Sequence, residues 1–262
     1  MSLSRTSRLS RTAWRHRRWA GAGALLLAPT LACADEIPFD RPGIPFATET
    51  LKAGGFAWEQ GLPDASIDRS DGTTQRQYVA GTVLRMGLTD TVELQLSSDT
   101  QVWHHDTGAE RFSGHGAGNS ALGLKVALPS HAEAFSWALL LNAEVASGRD
   151  PYGSSDRTRS VGVSTQWELA DERALALFAE VIDRDAGRSW TFAPNFTVIS
   201  RPSWQAYVEA GIGHGEDSTQ GVGGGVAWSL GEHAQLDVSL LRGTTSEAAD
   251  WQGGLGLSIG FQ

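Results

Sequence analysis

The chain has 262 residues, 40% of them hydrophobic, with 21 basic against 30 acidic side chains. Past the first 34 residues no stretch approaches the roughly 20 apolar residues of a membrane helix, which excludes a helical membrane protein but not a barrel, whose strands need only about 9–11 residues with every second one apolar. The only cysteine, Cys33, excludes a disulfide framework and a thiolate metal site, and the acidic excess excludes a nucleic-acid partner.

Residues 1–34 read as an export signal. Arg5, Arg8, Arg11, Arg15, Arg17 and Arg18 precede an apolar run from Ala20 to Leu27, and Ala32-Cys33-Ala34 fits a small-x-small cleavage site. A second reading makes Cys33 a lipidation site, although Leu31 is larger than usual there. These residues hold six of the 21 bases and none of the 30 acids, so the remainder carries 15 bases, 30 acids and a formal charge of −15. Residues 35–50 contain Pro38, Pro42 and Pro45 and little periodicity, and read as an extended segment that lies in the periplasm or folds into a lumen as a plug.

From Leu51 to the end, residues 51–262, alternation with a period of two dominates. After a weaker strand from Leu51 to Glu59, Tyr78, Ala80, Thr82 and Leu84 share one face, and Val92, Leu94 and Leu96 oppose Glu93 and Gln95. The same pattern recurs through Leu122–Leu128, Phe135–Val145, Val161–Glu168, Leu175–Val181, Trp190–Val198, Trp204–Ile212, Val222–Ser229, Leu236–Leu240 and Trp251–Phe261. These make about twelve strands, an even number as in single-chain bacterial barrels.

The joins alternate in length. Gly87–Asp90, Pro129–His131, Ala170–Glu172, Arg201–Ser203 and Gly231–His233 are short. Leu62–Thr74, Ser97–Gly118, Ser147–Arg159, His214–Gln220 and Thr244–Asp250 are long and polar, and Asp183–Arg188 is brief but occupies a long slot. Short turns on one side and longer loops on the other are expected of an antiparallel up-and-down transmembrane β-barrel. A soluble sandwich with core tryptophans is the alternative.

Eight tryptophans follow the leader. Trp137, Trp167, Trp204 and Trp228 fall at one end of their strands and Trp58, Trp103, Trp190 and Trp251 at the other, as two interfacial girdles would require. Six share the apolar face, Trp103 does not, and Trp58 is ambiguous. Leu257, Ile259 and Phe261 end the chain as an alternating strand of the kind read by outer-membrane assembly machinery, with Gln262 after the aromatic.

Asp40-Arg41-Pro42-Gly43, the turn Leu84-Arg85-Met86-Gly87-Leu88-Thr89-Asp90 with Val92-Glu93-Leu94, Ala121–Lys125, Ala143–Gly148 and the ending Gly254–Phe261 together resemble a family of outer-membrane transporters named for the meta-cleavage pathway of phenol degradation. The Arg-x-Gly-Leu-Thr-Asp turn is the most specific of these signals. The resemblance implies a barrel that passes small, aromatic or hydrophobic substrates.

Arg85, Glu93, Lys125, Asn142, Glu144, Gln166, Glu168, Glu180, Tyr207, Glu209 and Asp237 are the candidate lumen-lining residues. Their charges either pair across the interior or line a water-filled path with a cation-favouring field. Trp137, Trp167, Trp190, Trp204, Trp228 and Trp251 are the girdle candidates. His104, His105, Asp106 and His115 offer metal-binding atoms, but their spacing fits no standard site. Gly211–Gly215 and Gly221–Gly225 lack the helix and lysine of a phosphate loop. Nothing calls for a cofactor. The sequence therefore points to an outer-membrane port for small solutes without a chemical step. A non-conducting binding barrel is the alternative, and a lipid-modifying enzyme using Ser113 and His115 a more remote one.

Overall fold

The computed structural model describes residues 37–262, apart from 110, 155 and 217. The expected leader, its cleavage site and Cys33 lie outside the described residues. Fourteen strands form one antiparallel sheet. They are β1 (Phe56–Gly61), β2 (Asp64–Ser70), β3 (Thr73–Thr89), β4 (Val92–Gly108), β5 (Phe112–Gly116), β6 (Ser120–Leu128) and β7 (Phe135–Ala146), followed by β8 (Arg159–Glu168), β9 (Ala174–Arg184), β10 (Gly187–Arg201), β11 (Trp204–His214), β12 (Gly221–Ser229), β13 (Ala234–Gly243) and β14 (Trp251–Phe261).

Two staves are broken. β1 and β2 both lie between β14 and β3, separated at Leu62-Pro63, where proline has no N–H to give the ladder. β5 and β6 both pair with β4 and are separated at Ala117–Asn119. The result is a closed barrel of 12 strands. It shuts where β1 meets β14, from Phe56 opposite Phe261 to Gly61 opposite Gly256.

The two faces are the inverse of a soluble protein. Leu84, Leu94, Leu122, Leu141, Val208 and Leu255 are exposed on the outside, while Arg85, Glu93, Lys125 and Asp237 have no exposure at all. A hydrophobic exterior around a buried polar interior is stable only where the outside solvent is lipid. The soluble sandwich is thereby rejected.

Two of the expected long loops are mostly strand. β3 and β4 each run 17 residues, well beyond the length a bilayer requires, and β2 and β5 pair alongside their far ends. Beyond the membrane both faces of such an arm are wet, so the apolar alternation lapses while backbone pairing continues. The β2–β3 hairpin closes at Asp71-Gly72, with φ of 49° and 75°, a two-residue turn of the type that strand twist favours.

The tryptophans also shift. In β4, Ala80 of β3 faces Gln101 and Gly81 faces Asp99, so Thr100 is an extra residue in a bulge. The bulge reverses parity and places Trp103 opposite Tyr78 on the outer face. Trp58 is corrected to the short-turn end, beside Leu84 and Ile259, because its stave continues through β2 to Ser70. The other six stand at strand ends. Trp204 faces Trp228 across β11 and β12, and the Trp167 ring packs 4.8 Å from Phe135. Trp137 donates to the Pro129 carbonyl, Trp190 faces His214, and Arg242 lies 5.0 Å over Trp251.

Candidate functional site: the occupied lumen

Residues 37–55 precede the first strand, and most of them run inside the barrel, with Lys52, Ala53 and Gly54 exposed at its rim. Ile37 lies against β14 at Gly260, close to the short-turn rim. The segment climbs to Gly43, which turns at φ +115° beside Glu209 and Tyr207. It then descends past Phe46 to Thr50, whose hydroxyl donates to the Asp90 carbonyl in a short turn.

An irregular segment in a barrel has no ladder to satisfy its backbone, so the wall must supply partners. Pro38, Pro42 and Pro45 reduce the number of donors. Four of the remaining N–H groups find carboxylates of the wall. Glu59 accepts those of Asp40 and Arg41, each at 2.9 Å, Glu209 accepts Ile44 at 2.8 Å, and Glu93 accepts Leu51 at 2.9 Å. In return, Arg85 donates to the Pro38 carbonyl at 2.7 Å and Gln235 to that of Arg41 at 2.7 Å.

The side chains form one charged network. Arg85 reaches Glu93 at 2.7 Å, Glu59 at 2.6 Å and Asp40 at 3.5 Å. Lys125 holds Asp40 at 2.7 Å and stands 5.7 Å from the centre of the Phe46 ring. Gln95 bridges Asp40 and Glu93, each at 2.8 Å. Higher up, Arg41 grips Asp64 with both terminal nitrogens at 2.9 Å and reaches Asp237 at 3.2 Å. Phe46 packs edge-on to Phe178, centroids 5.9 Å apart, beside Ala138 and Ala193. Around Asp40, burial disfavours the carboxylate, but Arg85 and Lys125 outweigh it and hold its pKa below the ordinary value.

Cavities remain on both sides. One of about 560 Å³ lies toward the long loops and one of about 300 Å³ toward the short turns, and Arg41 and Pro42 border both. On the loop side a further space of about 270 Å³ touches Gly43 and Glu209, and one of about 500 Å³ lies under Tyr152.

Of the residues named from sequence, Arg85, Glu93, Lys125, Glu209 and Asp237 all contact the segment. Tyr207 is buried beside Gly43. Gln166 borders the short-turn cavity, Glu180 the cavity at Gly43, and Asn142 and Glu144 the cavity under Tyr152. Glu168 ends β8 and is exposed at the rim. Asp40, Arg41, Glu59, Asp64 and Gln95 were not among those residues. Asp40 and Arg41 stood out in the sequence through the Asp40-Arg41-Pro42-Gly43 resemblance, which does not say what they face.

The histidines separate. His104 approaches Gln77 and Tyr152, His115 Gln101, and His105 the Ser113 hydroxyl at 3.5 Å. No group of three His, Cys, Asp or Glu that could hold a metal occurs among the described residues.

A closed twelve-strand barrel with an oily exterior and an occupied polar lumen has the fold of outer-membrane channels. Residues 39–261 match the family described as "Putative MetA-pathway of phenol degradation", and the chain belongs to it. It is similar to an outer membrane channel from Pseudomonas putida F1 (TM-score 0.62, 13% identity, 84% of this chain and 100% of that one). It is also similar to the KdgM porin (TM-score 0.53, 10% identity, 79% of this chain and 99% of that one). No curated protein sequence matches it.

Proposed function

We propose that the chain is an outer-membrane channel for small solutes, with residues 37–50 as a plug that sets its bore. The observation that carries this reading is Arg41. It borders the cavities on both sides of the segment, so a solute crossing the barrel must pass it or move it. The short turns, beside which Ile37 lies, face the periplasm, and the alternating strand ending at Phe261 serves assembly into the membrane. The family's description favours hydroxylated aromatic compounds as solutes. The lumen supplies binding and bore but no reaction.

Planar-bilayer recording and liposome swelling test this, with small sugars and phenol-type solutes each measured against protein-free liposomes. The folded chain is expected to give small unitary currents and solute entry. Arg41→Ala, which frees the segment from Asp64 and Asp237, is expected to raise conductance several-fold. A well-folded barrel with neither current nor flux, in either form, defeats the proposal and leaves the non-conducting binding barrel.

A further inference from the structure

We infer that the loop-side mouth of the barrel sorts solutes by charge, admitting neutral and cationic molecules and turning back anions. This rests on the channel reading and adds the class of solute to it. The ground is a difference in chemistry on the two sides of Arg41.

The 560 Å³ loop-side cavity has three acids on its wall, Asp64, Glu216 and Glu247, and one base, Arg41. That base is already committed. Its guanidinium is shared between Asp64 at 2.9 Å and Asp237 at 3.2 Å, and the trio keeps one net negative charge. Glu216, between β11 and β12, and Glu247, between β13 and β14, are exposed and have no ion-pair partner among the described residues. The adjoining cavity of about 270 Å³ carries Glu180 and Glu209 and no base. The cavity under Tyr152 sets Asp99 and Glu144 against Arg184 alone.

A second, independent observation lies at the floor of this mouth. Glu209 is 5% exposed, and its Oε2 accepts Ile44 at 2.8 Å and Asn195 at 3.1 Å. Its Oε1 has no partner. A nearly buried carboxylate with one unused acceptor thus borders the path beyond the loop acids. Past Arg41 the wall changes character. Gln166, Asn195, Thr197, Gln205 and Gln235 line the short-turn side with amides and a hydroxyl, Asp40 there is held by Lys125 and Arg85, and Glu49 is the one acid on that wall without an ion pair among the described residues.

Acids gathered in a cleft with low-dielectric walls focus their field along it, and rings of carboxylates favour cations. The field reaches about 8 Å at physiological salt and about 3 Å at 1 M. Selectivity from this source therefore fades as salt rises, whereas selectivity from bore alone does not.

The test uses the whole folded chain in planar bilayers under a potassium chloride gradient, and in liposomes with glucosamine, glucose and glucuronate as probes of similar size and different charge. The reversal potential is expected to report potassium over chloride and to shrink at 1 M salt. Glucuronate is expected to enter about tenfold more slowly than glucose. Combining Glu216→Gln with Glu247→Gln, both on exposed loops, is expected to reduce the potassium preference and narrow the glucose–glucuronate gap. Current without potassium preference, equal entry of the sugars, or a double variant identical to the parent overturns the inference and leaves the channel standing. A folded barrel with neither current nor flux overturns both.

Discussion

Arg85 and Glu93 meet twice inside the barrel, Nε to Oε1 at 2.7 Å and Nη2 to Oε2 at 2.9 Å, and neither side chain has any exposure. They stand diagonally across the β3–β4 hairpin, Arg85 opposite Gln95 and Glu93 opposite Gly87, and each also binds the lumen segment, Arg85 through Pro38 and Glu93 through Leu51. Removing one partner of such a buried pair leaves the other charged and unmatched, which costs about 3–5 kcal/mol. Arg85→Met is therefore expected to lower the urea midpoint of unfolding sharply. Arg85→Lys, which keeps the charge but loses the two-pronged contact, is expected to fall between. A midpoint unchanged in Arg85→Met would show that wall and segment do not depend on this hub.

The seating of the segment is expected to depend on pH through Asp40. Its pKa in the folded chain lies below the ordinary 3.8, because Arg85 and Lys125 outweigh its burial. A depressed carboxylate contributes stabilisation that is complete above the unfolded value and is lost as pH falls through the folded one. Asp40 should therefore contribute no change in conductance between about pH 7 and about pH 4, and a rise only below that. Asp40→Asn should show the raised level throughout. A rise centred near about pH 6 would point to a group other than Asp40.

How far the sequence revealed this molecule follows from which solvent each residue meets. Within the bilayer, lipid outside and charge inside give Leu94 and Glu93 opposite faces, and the period of two was plain. Past the membrane, β2, β5 and the far ends of β3 and β4 have water on both sides, so the strands carried no pattern. Trp103 had the wrong parity because one residue, Thr100, bulges out of register. In the lumen, Arg85, Glu93 and Lys125 were legible as inward charges. Asp40, which pairs with Arg85 and Lys125, and Arg41, which pairs with Asp64 and Asp237, were not, because residues without periodicity give no indication of what they fold against.

Gly87 explains part of the Arg-x-Gly-Leu-Thr-Asp turn. A Cβ there would collide with the Lys52 carbonyl, and its own N–H donates to Gly55 at 3.0 Å while its carbonyl accepts Gly54 at 2.9 Å. The glycine lets the descending end of the segment pass against β3. Gly87→Ala is expected to cost about 1–3 kcal/mol through overpacking, and to be seen as a lower unfolding midpoint with assembly retained. Equal stability would mean that residues 51–55 yield without loss.

The loop from Ser147 to Thr158 is latched rather than loose. Asn119, in the break between β5 and β6, accepts the Gly148 N–H at 2.8 Å and that of Ser154 at 3.1 Å. Tyr152 lies across Gly114 and Gly116, where any Cβ would strike its ring, and its centroid is 5.8 Å from that of His104. The interruption of that stave thus becomes a seat for the loop roofing the 500 Å³ cavity. Asn119→Ala and Gly116→Val should each unseat the loop without touching the membrane-spanning part of the wall. Arg149 and Arg157 are exposed on the loop, so trypsin added to the folded barrel should cut there several-fold faster in both variants than in the parent. The barrel should keep its unfolding midpoint to within about 0.5 kcal/mol, as expected when a change is confined to a surface loop. Cleavage as slow as in the parent would show that the loop is held by something other than Asn119 and the tyrosine seat.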